Sequence, residues 1–171
     1  MNPIFENRHS TKAFLDKKVE QEKIDEVIQA GLLAPSGKNS QSAVIVWITN
    51  EEIVKKLSAL NKKIGGFPEN IDPFYGSRVV LLVIAKKVNT AVYDGSCVME
   101  NMLLEASDLG LGACWIHRAK EEIESEEGKK ILSSLNLDLD EYVGIGHVVL
   151  GYMKSEPVAK KVNDGRVFYL K

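Results

Sequence analysis

The sequence has few of the residues that covalent or metal cross-links require. Its 171 residues include only two cysteines, Cys97 and Cys114, which form no CxxC pair and show no metal-ligand spacing. We therefore expect a reduced protein without a metal, and the cytoplasm is the default compartment. The dinucleotide fingerprint GxGxxG is also absent, and Gly110 and Gly112 predict a helix end followed by a turn.

Long apolar runs and an excess of one charge are also missing. No run reaches the ~18–20 apolar residues that span a bilayer, and residues 1–20 contain no apolar segment typical of a secretory signal. The net charge is −2, with 44% hydrophobic and 27% charged residues. This composition argues against a membrane or a nucleic acid as partner. With no internal repeat and no linker, we expect a single domain over residues 1–171.

A cluster of cations near the N-terminus stands out against this near-neutral background. Arg8 can form two hydrogen bonds with a phosphate, Lys12 adds a point charge, and Ser10 adds a hydroxyl donor. His9 contributes a titratable ring. A phosphate monoester, with roughly −1.5 to −2 charges at neutral pH, suits such a cluster. The alternative is a solvated basic turn that binds nothing, since charge clusters usually lie at the surface.

Apolar periodicity predicts an alternation of helices and strands. Helices are predicted over residues 2–8, 20–33, 51–60, 90–109 and 120–135, and strands over residues 43–49, 79–85, 112–116 and 142–152. Asn50 can cap the third of these helices, and Asn61 is expected to end it. The alternation predicts an α+β fold, with a mixed central sheet of about four or five strands and helices on both faces.

Two loops carry side chains that can contact a ligand. Pro35 ends the second helix, and Ser36, Asn39 and Gln41 follow it with hydroxyls and amides that can bond a flat heteroaromatic ring. Serine and asparagine are equally ordinary in a helix-to-strand turn. In residues 65–76, the aromatic side chains either line a substrate pocket or close over the core.

Several of these segments, in this order, resemble the FMN-dependent nitroreductase family. Residues 8–14, Arg-His-Ser-Thr-Lys-Ala-Phe, are similar to the family's opening Arg-x-Ser-x-Arg/Lys-x-Phe, and residues 34–41 are similar to its Ala-Pro-Ser-x-x-Asn-x-Gln segment. Residues 94–112 resemble the central helix and the turn after it, and residues 150–152, Leu-Gly-Tyr, resemble the end of the penultimate strand. The resemblance covers most of the chain.

The resemblance implies a nitroreductase-like fold with bound FMN. Its phosphate would meet cations from both ends of the chain, and its ring would meet backbone N–H groups just after the strand over residues 112–116. The pyrimidine edge of the ring would meet Asn61. The residues that the resemblance assigns to the cofactor are Arg8, His9, Ser10, Lys12, Pro35, Ser36, Asn39, Gln41, Asn61, Trp115, Ile116, His117, Lys160, Lys161 and Arg166.

The family also implies a partner and a reaction. In the family, the loop after the second helix reaches the flavin of the neighbouring subunit, so a homodimer with FMN at its interface is expected. NADH or NADPH would reduce the flavin, and a flat electrophile such as a nitroaromatic or a quinone would take the electrons in a ping-pong sequence. The flavin supplies the chemistry, so no nucleophile is needed. His117 is either a proton donor to the substrate or an ordinary loop histidine.

Two other functions fit the same residues. One is different flavin chemistry on the same fold, such as dehalogenation or flavin fragmentation. The other is a non-catalytic FMN-binding or regulatory protein.

Overall fold

A computed structural model describes residues 2–155, 158 and 161–171. The helices are α1 (Pro3–Asn7), α2 (Gln21–Leu32), α3 (Glu51–Gly65), α4 (Ala91–Asp108), α5 (Ala119–Glu124) and α6 (Glu126–Ile131). The strands are β1 (Ala43–Ile48), β2 (Val79–Lys86), β3 (Gly112–Ile116) and β4 (Tyr142–Gly151). Every predicted strand is therefore present, within one or two residues of its expected ends.

The four strands form one sheet in the order β1-β2-β4-β3, with β1 and β3 at its edges. Successive side chains of β2 alternate between two apolar clusters, because strand residues point to opposite faces in turn. Leu81 and Val83 pack against α2 and α4, whereas Leu82 and Ile84 pack on the side of α3 and α5. The expected α+β architecture with helices on both faces is confirmed.

The pairing of the strands differs from the expectation of a mixed sheet. All three strand pairs are antiparallel. The parallel contact in the described chain is a single bridge between Ser10 and Ala113, by which the N-terminal segment joins the outer edge of β3. Strand direction depends on which distant strands meet, and the alternation of side chains along one strand carries no information on that.

Helix α3 begins as predicted but is longer than predicted. The Asn50 side chain accepts hydrogen bonds from the N–H groups of Glu52 (2.9 Å) and Ile53 (3.3 Å), which confirms it as the cap. The expectation that Asn61 ends the helix is wrong. The helix continues to Gly65 and ends at Gly66, whose φ of 61° lies in the left-handed region that glycine adopts at low cost.

The prediction of a single helix over residues 120–135 is wrong, because the helix is interrupted at Ser125. Ser125 has extended backbone angles, and its hydroxyl accepts a hydrogen bond from the N–H of Gly128 at 3.0 Å, which caps α6. A 3-10 turn over Ser133–Leu135 follows α6. The turn at Ser125 brings Gly128 against the carbonyl of Glu122, where a Cβ would have no room.

Among the aromatic side chains of residues 65–76, the structure shows one that closes over the core, and a substrate-pocket role for the others stays a prediction. Phe74 is fully buried in the cluster beneath α3 and α5, so it closes the core. Phe67 is half-buried, and the guanidinium carbon of Arg118 lies 4.5 Å from its ring centroid.

Within the described part of the chain, none of the helices combines the length and apolar character needed to cross a membrane.

Candidate functional site

The cationic cluster lies along the outer edge of β3. The N–H of Thr11 donates a hydrogen bond to the carbonyl of Ala113 at 2.9 Å, next to the Ser10 bridge. A cavity of about 380 Å³ opens beside it, and its lining comprises His9, Ser10, Thr11, Lys12, Ala13, Ser155 and Val158. The segment over residues 9–13 and the segment after β4 thus meet at one cavity. Among the described residues, its lining contains none of the C-terminal cations that the resemblance assigns to the phosphate, so that assignment stays a prediction.

The polar groups beside this cavity have unused hydrogen-bonding capacity. The Nε atom of Arg8 lies 3.8 Å from Glu100 Oε1, too far for a hydrogen bond, and the Arg8 side chain is 21% exposed. His9 Nδ1 lies 2.6 Å from the carbonyl of Asn7, and its buried Nε2 has no partner among the described residues. Because the Asn7 carbonyl accepts from Nδ1, the Nε2 atom is an acceptor in the neutral ring and donates to an anion only in the imidazolium form. The charge that fits an anionic group in the cavity comes from Lys12, which lines it.

Cys114 shows how closely the predicted phosphate ligands converge. Burial raises the pKa of its thiol, while Lys12, the Ser10 hydroxyl and Arg8 act in the opposite direction. Three residues singled out from the sequence therefore surround one point of β3. The thiol itself is suited to packing rather than to nucleophilic chemistry, because a raised pKa keeps it protonated.

The polar loop after α2 has an unusual backbone. Lys38, Asn39 and Gln41 have φ values of 54°, 55° and 47°, in the left-handed region that residues other than glycine rarely adopt. The Ser36 hydroxyl accepts a hydrogen bond from the N–H of Gln41 at 2.9 Å. Asn39, Gln41 and Pro35 are exposed, so their side chains are accessible to a ligand or to another protein chain.

Asp94, in the first turn of α4, holds this loop in place. Its buried carboxylate accepts hydrogen bonds from the N–H of Gly37 (2.9 Å) and from the hydroxyls of Thr90 (2.9 Å), Ser40 (3.1 Å) and Ser42 (3.3 Å). The Gly37 N–H is the largest influence that lowers the pKa of Asp94, and the hydroxyls add to it against the effect of burial. The sequence analysis missed Asp94. The hydroxyl residues Ser40, Ser42 and Thr90 were the feature of the sequence that could have indicated a buried acceptor nearby.

The loop and the cationic cluster lie at opposite ends of the sheet. The carbonyl of Ser42 accepts from the N–H of Lys86, which pairs with Tyr142, whereas Ala113 beside Ser10 pairs with Leu150. Those two positions on β4 are eight residues apart. At ~3.3 Å per residue this is roughly 26 Å. One chain therefore does not bring the two predicted groups together.

The far end of β3 carries the remaining predicted ring contacts. Ile116 is buried, Trp115 is half-buried and His117 is exposed. From Ala113 to His117 the chain advances roughly 13 Å at ~3.3 Å per residue. An elongated ligand with its anionic end in the cavity would reach the residues after β3.

Asn61 lies in the core behind this segment, not at a surface where it would meet a ligand. Its side-chain nitrogen donates to the carbonyl of His117 at 2.8 Å and to Glu122 Oε1 at 2.5 Å. Glu122 Oε2 lies 2.6 Å from His147 Nε2, and all three residues are fully buried. The sequence analysis missed Glu122 because it lies in a charged segment typical of a solvated face.

The C-terminal cations are only partly described. Lys161 and Arg166 are exposed in a tail without regular structure, and Lys160 lies outside the described residues. Val167, Phe168 and Leu170 follow with exposures of 69%, 91% and 104%. Such a bare apolar end is unusual for a protein in water.

Known proteins share the sequence pattern and the fold of this chain. The family model described as the nitroreductase family matches residues 5–65 and 72–152. A curated protein of Archaeoglobus fulgidus, provisionally named an NADH dehydrogenase/NAD(P)H nitroreductase, is 30% identical over 163 residues, which cover 92% of this chain and 87% of that protein.

Solved structures show the same fold. A nitroreductase with bound FMN from Bacteroides fragilis superposes with a TM-score of 0.89 at 24% identity, and the match covers 100% of both chains. An FMN-dependent nitroreductase from Clostridium difficile gives a TM-score of 0.82 at 25% identity, covering 100% of this chain and 99% of the other.

Proposed function

The chain belongs to the nitroreductase family, and on that premise we propose that it is an FMN-dependent oxidoreductase. It takes electrons from NADH or NADPH and passes them to a flat electrophilic acceptor such as a nitroaromatic or a quinone. Residues 1–171 act as one FMN-binding domain. Bound FMN supplies the hydride chemistry, and the protein supplies binding, orientation and electrostatics.

The observation that carries the proposal is the cavity beside β3. Lys12, Ser10 and His9 line it, together with Ser155 and Val158 of the segment that follows β4. Arg8 lies beside them, near Cys114 of β3. In this proposal Arg8, Ser10 and Lys12 hold the phosphate, and the tail cations Lys161 and Arg166 close over it. The same role was assigned to Lys160 from the sequence.

The ring lies further along β3, near Trp115, Ile116 and His117. Backbone N–H groups there are aligned before the reaction, so they stabilise the negative charge of the reduced cofactor without reorganisation. One open face serves both the reductant and the acceptor, which favours a ping-pong sequence.

The polar loop serves the site of a second copy of the chain. It lies roughly 26 Å along β4 from its own cavity, at ~3.3 Å per residue, so Ser36, Asn39 and Gln41 would contact FMN across a homodimer interface. Exposed apolar side chains surround the loop and favour burial there: Leu33, Val92 and Tyr93. The structure supports this dimer through the exposed apolar surface next to the strained loop.

An anaerobic titration tests the proposal. Freshly purified protein is saturated with FMN and mixed with NADH or NADPH without oxygen, and the absorbance near 450 nm is followed. We expect the oxidised flavin band to bleach with one equivalent of reductant and to return when a quinone or nitroaromatic is added. A band that persists with both nucleotides contradicts the reductase proposal and favours a non-catalytic FMN-binding protein.

A further inference from the structure

Three polar side chains form a buried chain of hydrogen bonds beneath the sheet. Asn61 of α3, Glu122 of α5 and His147 of β4 are linked by contacts of 2.5 Å and 2.6 Å, and none of them is exposed. The end of this chain is the carbonyl of His117, which accepts from Asn61 at 2.8 Å. Three separate elements therefore converge on one peptide group after β3.

Folding alone gives a poor reason for this network. Burial removes the hydration of the Glu122 carboxyl group and the His147 ring, and apolar residues of the same volume often contribute more to stability. Asn61 Oδ1 and His147 Nδ1 are buried and have no partner within the described chain, and each such atom is unfavourable. Because the network contributes little to stability, we look for its role in the backbone group that it holds in position.

What it holds is the peptide between His117 and Arg118. The described chain contains no cis peptide bond, so the carbonyl and the N–H of this peptide point in opposite directions. Since Asn61 draws the carbonyl into the core, the N–H of Arg118 points outward. No acceptor for that N–H occurs among the residues described here.

Neighbouring contacts fix the same peptide. Arg118 has a φ of 82°, a left-handed conformation that an arginine adopts only when its surroundings impose it. Its guanidinium lies on the Phe67 ring, and Gly65 leaves room for it. Helix α5 can approach β4 because Gly144 has no Cβ, which would lie 2.2 Å from the carbonyl of Ala119.

We propose that Asn61 is a positioning residue, held by Glu122 and His147, that orients the Arg118 N–H toward the flavin ring. The inference rests on the proposed function, since it assumes FMN beside β3. Asn61 then acts through the backbone rather than by touching the ring. A fixed donor favours the anionic reduced flavin over the neutral oxidised one, so the network raises the affinity for reduced FMN selectively.

The test is the ratio of the affinities for reduced and oxidised FMN. Asn61→Ala removes both donors, and we expect the preference for reduced FMN to fall at least tenfold. For a two-electron couple a tenfold change corresponds to about 30 mV, which a dithionite titration against a reference dye resolves. A merely structural role for Asn61 would lower stability and leave this ratio unchanged.

Leu57→Ala is the matched control. Leu57 lies one turn earlier on α3 and is equally buried, but it belongs to the apolar cluster. We expect this variant to be less stable, with the FMN ratio within twofold of the parent. A shift like that of Asn61→Ala would contradict the proposal.

Glu122→Gln decides the question if Asn61→Ala does not fold. Glutamine keeps the size but replaces one carboxylate oxygen with an amide nitrogen, so the hold on Asn61 and His147 weakens, and we expect a threefold or larger fall in the ratio. Folded variants that keep the parent ratio overturn this inference and leave the proposed function intact. A parent protein that binds no FMN overturns both.

Discussion

At the scale of single residues, the proposed phosphate site includes Arg8, a cation whose side chain has no close partner among the described residues. Within the described residues, its guanidinium has a single ionic contact, at 3.8 Å with the half-exposed Glu100. Such a pair contributes little to stability, because water screens it. Its guanidinium can therefore turn to a ligand at little cost to the fold.

Replacing Arg8 with alanine should weaken FMN binding roughly ten- to a hundredfold, since a charge-assisted hydrogen bond contributes ~1.5–3 kcal/mol. Fluorescence titration of the apoprotein with FMN measures the affinity, and thermal unfolding without FMN should change little. Arg78→Ala is the control, because Arg78 does not line the cavity and pairs with Asp16 at 2.6 Å. Equal FMN affinity in Arg8→Ala and the parent would refute the phosphate assignment.

The two cysteines should differ in reactivity. Cys97 is exposed, whereas Cys114 is buried and burial raises its thiol pKa, so the reactive thiolate is scarce at pH 8. A disulfide reagent such as DTNB should label one thiol in the folded protein and the second at least tenfold more slowly. In Cys97→Ser, the fast phase should disappear. A fast phase that survives in that variant would contradict the burial of Cys114.

At the scale of elements, the start of α4 acts as a clamp on the loop after α2. Asp94 accepts three hydrogen bonds from this loop and a fourth from Thr90, and three loop residues have left-handed φ values. The strain of those residues is offset by the clamp, so the loop has its shape before any ligand arrives.

Asp94→Asn should lower the midpoint of thermal unfolding at pH 7 and speed proteolysis within residues 36–42. The folded pKa of Asp94 lies below its ordinary value of 3.8, so its contribution to stability is present above about pH 4 and is lost as the pH falls through the folded pKa. The difference between parent and variant should therefore shrink at pH 3. Asp108→Asn, at the exposed end of the same helix, is the control. A difference of equal size at both pH values would argue against the clamp.

Two glycines should respond differently to alanine. In Gly66→Ala the new Cβ has open space around it, but the residue keeps a left-handed φ of 61°. We expect the free energy of unfolding to fall by about 1 kcal/mol. Gly144→Ala places a Cβ 2.2 Å from the Ala119 backbone. Because backbone rather than a side chain must move, we expect this variant to lower the free energy of unfolding by ~3 kcal/mol, the upper end of the range for overpacked cores. Urea unfolding measures both, and equal costs would contradict the close approach of α5 to β4.

Prediction from sequence worked where the determinants are local. Short apolar runs located the first three strands, glycines alternating with apolar residues located the fourth, and Asn50 marked the start of α3. Prediction failed where the structure depends on contacts between residues that are far apart in the sequence. Asn61 resembles a helix end, yet its amide is satisfied by His117 and Glu122, 56 and 61 residues away. Antiparallel pairing of β2 with β4 likewise depends on segments far apart in the chain.

At the scale of the whole molecule, the exposed apolar side chains suggest an incomplete assembly. Phe168 and Leu170 of the tail and Tyr93 beside the loop are almost bare. We expect a homodimer in sizing experiments with light scattering, since these residues would be covered by a second copy. An FMN-loaded monomer would contradict this expectation.

Tail variants should separate assembly from cofactor binding. Phe168→Ser combined with Leu170→Ser removes apolar contacts and should shift the protein toward monomer at least tenfold in dissociation constant. Arg166→Ala keeps those contacts and should reduce FMN affinity while the dimer persists. If both variants lose only FMN, the tail does not contribute to assembly.

The bridge between Ser10 and Ala113 has one more consequence. β3 is an edge strand, and an uncovered edge offers unpaired N–H and carbonyl groups to any extended chain. The segment that gathers the cations also shields part of this edge. Release of this segment from β3 would therefore disperse the cations and expose the strand edge to other chains at the same time.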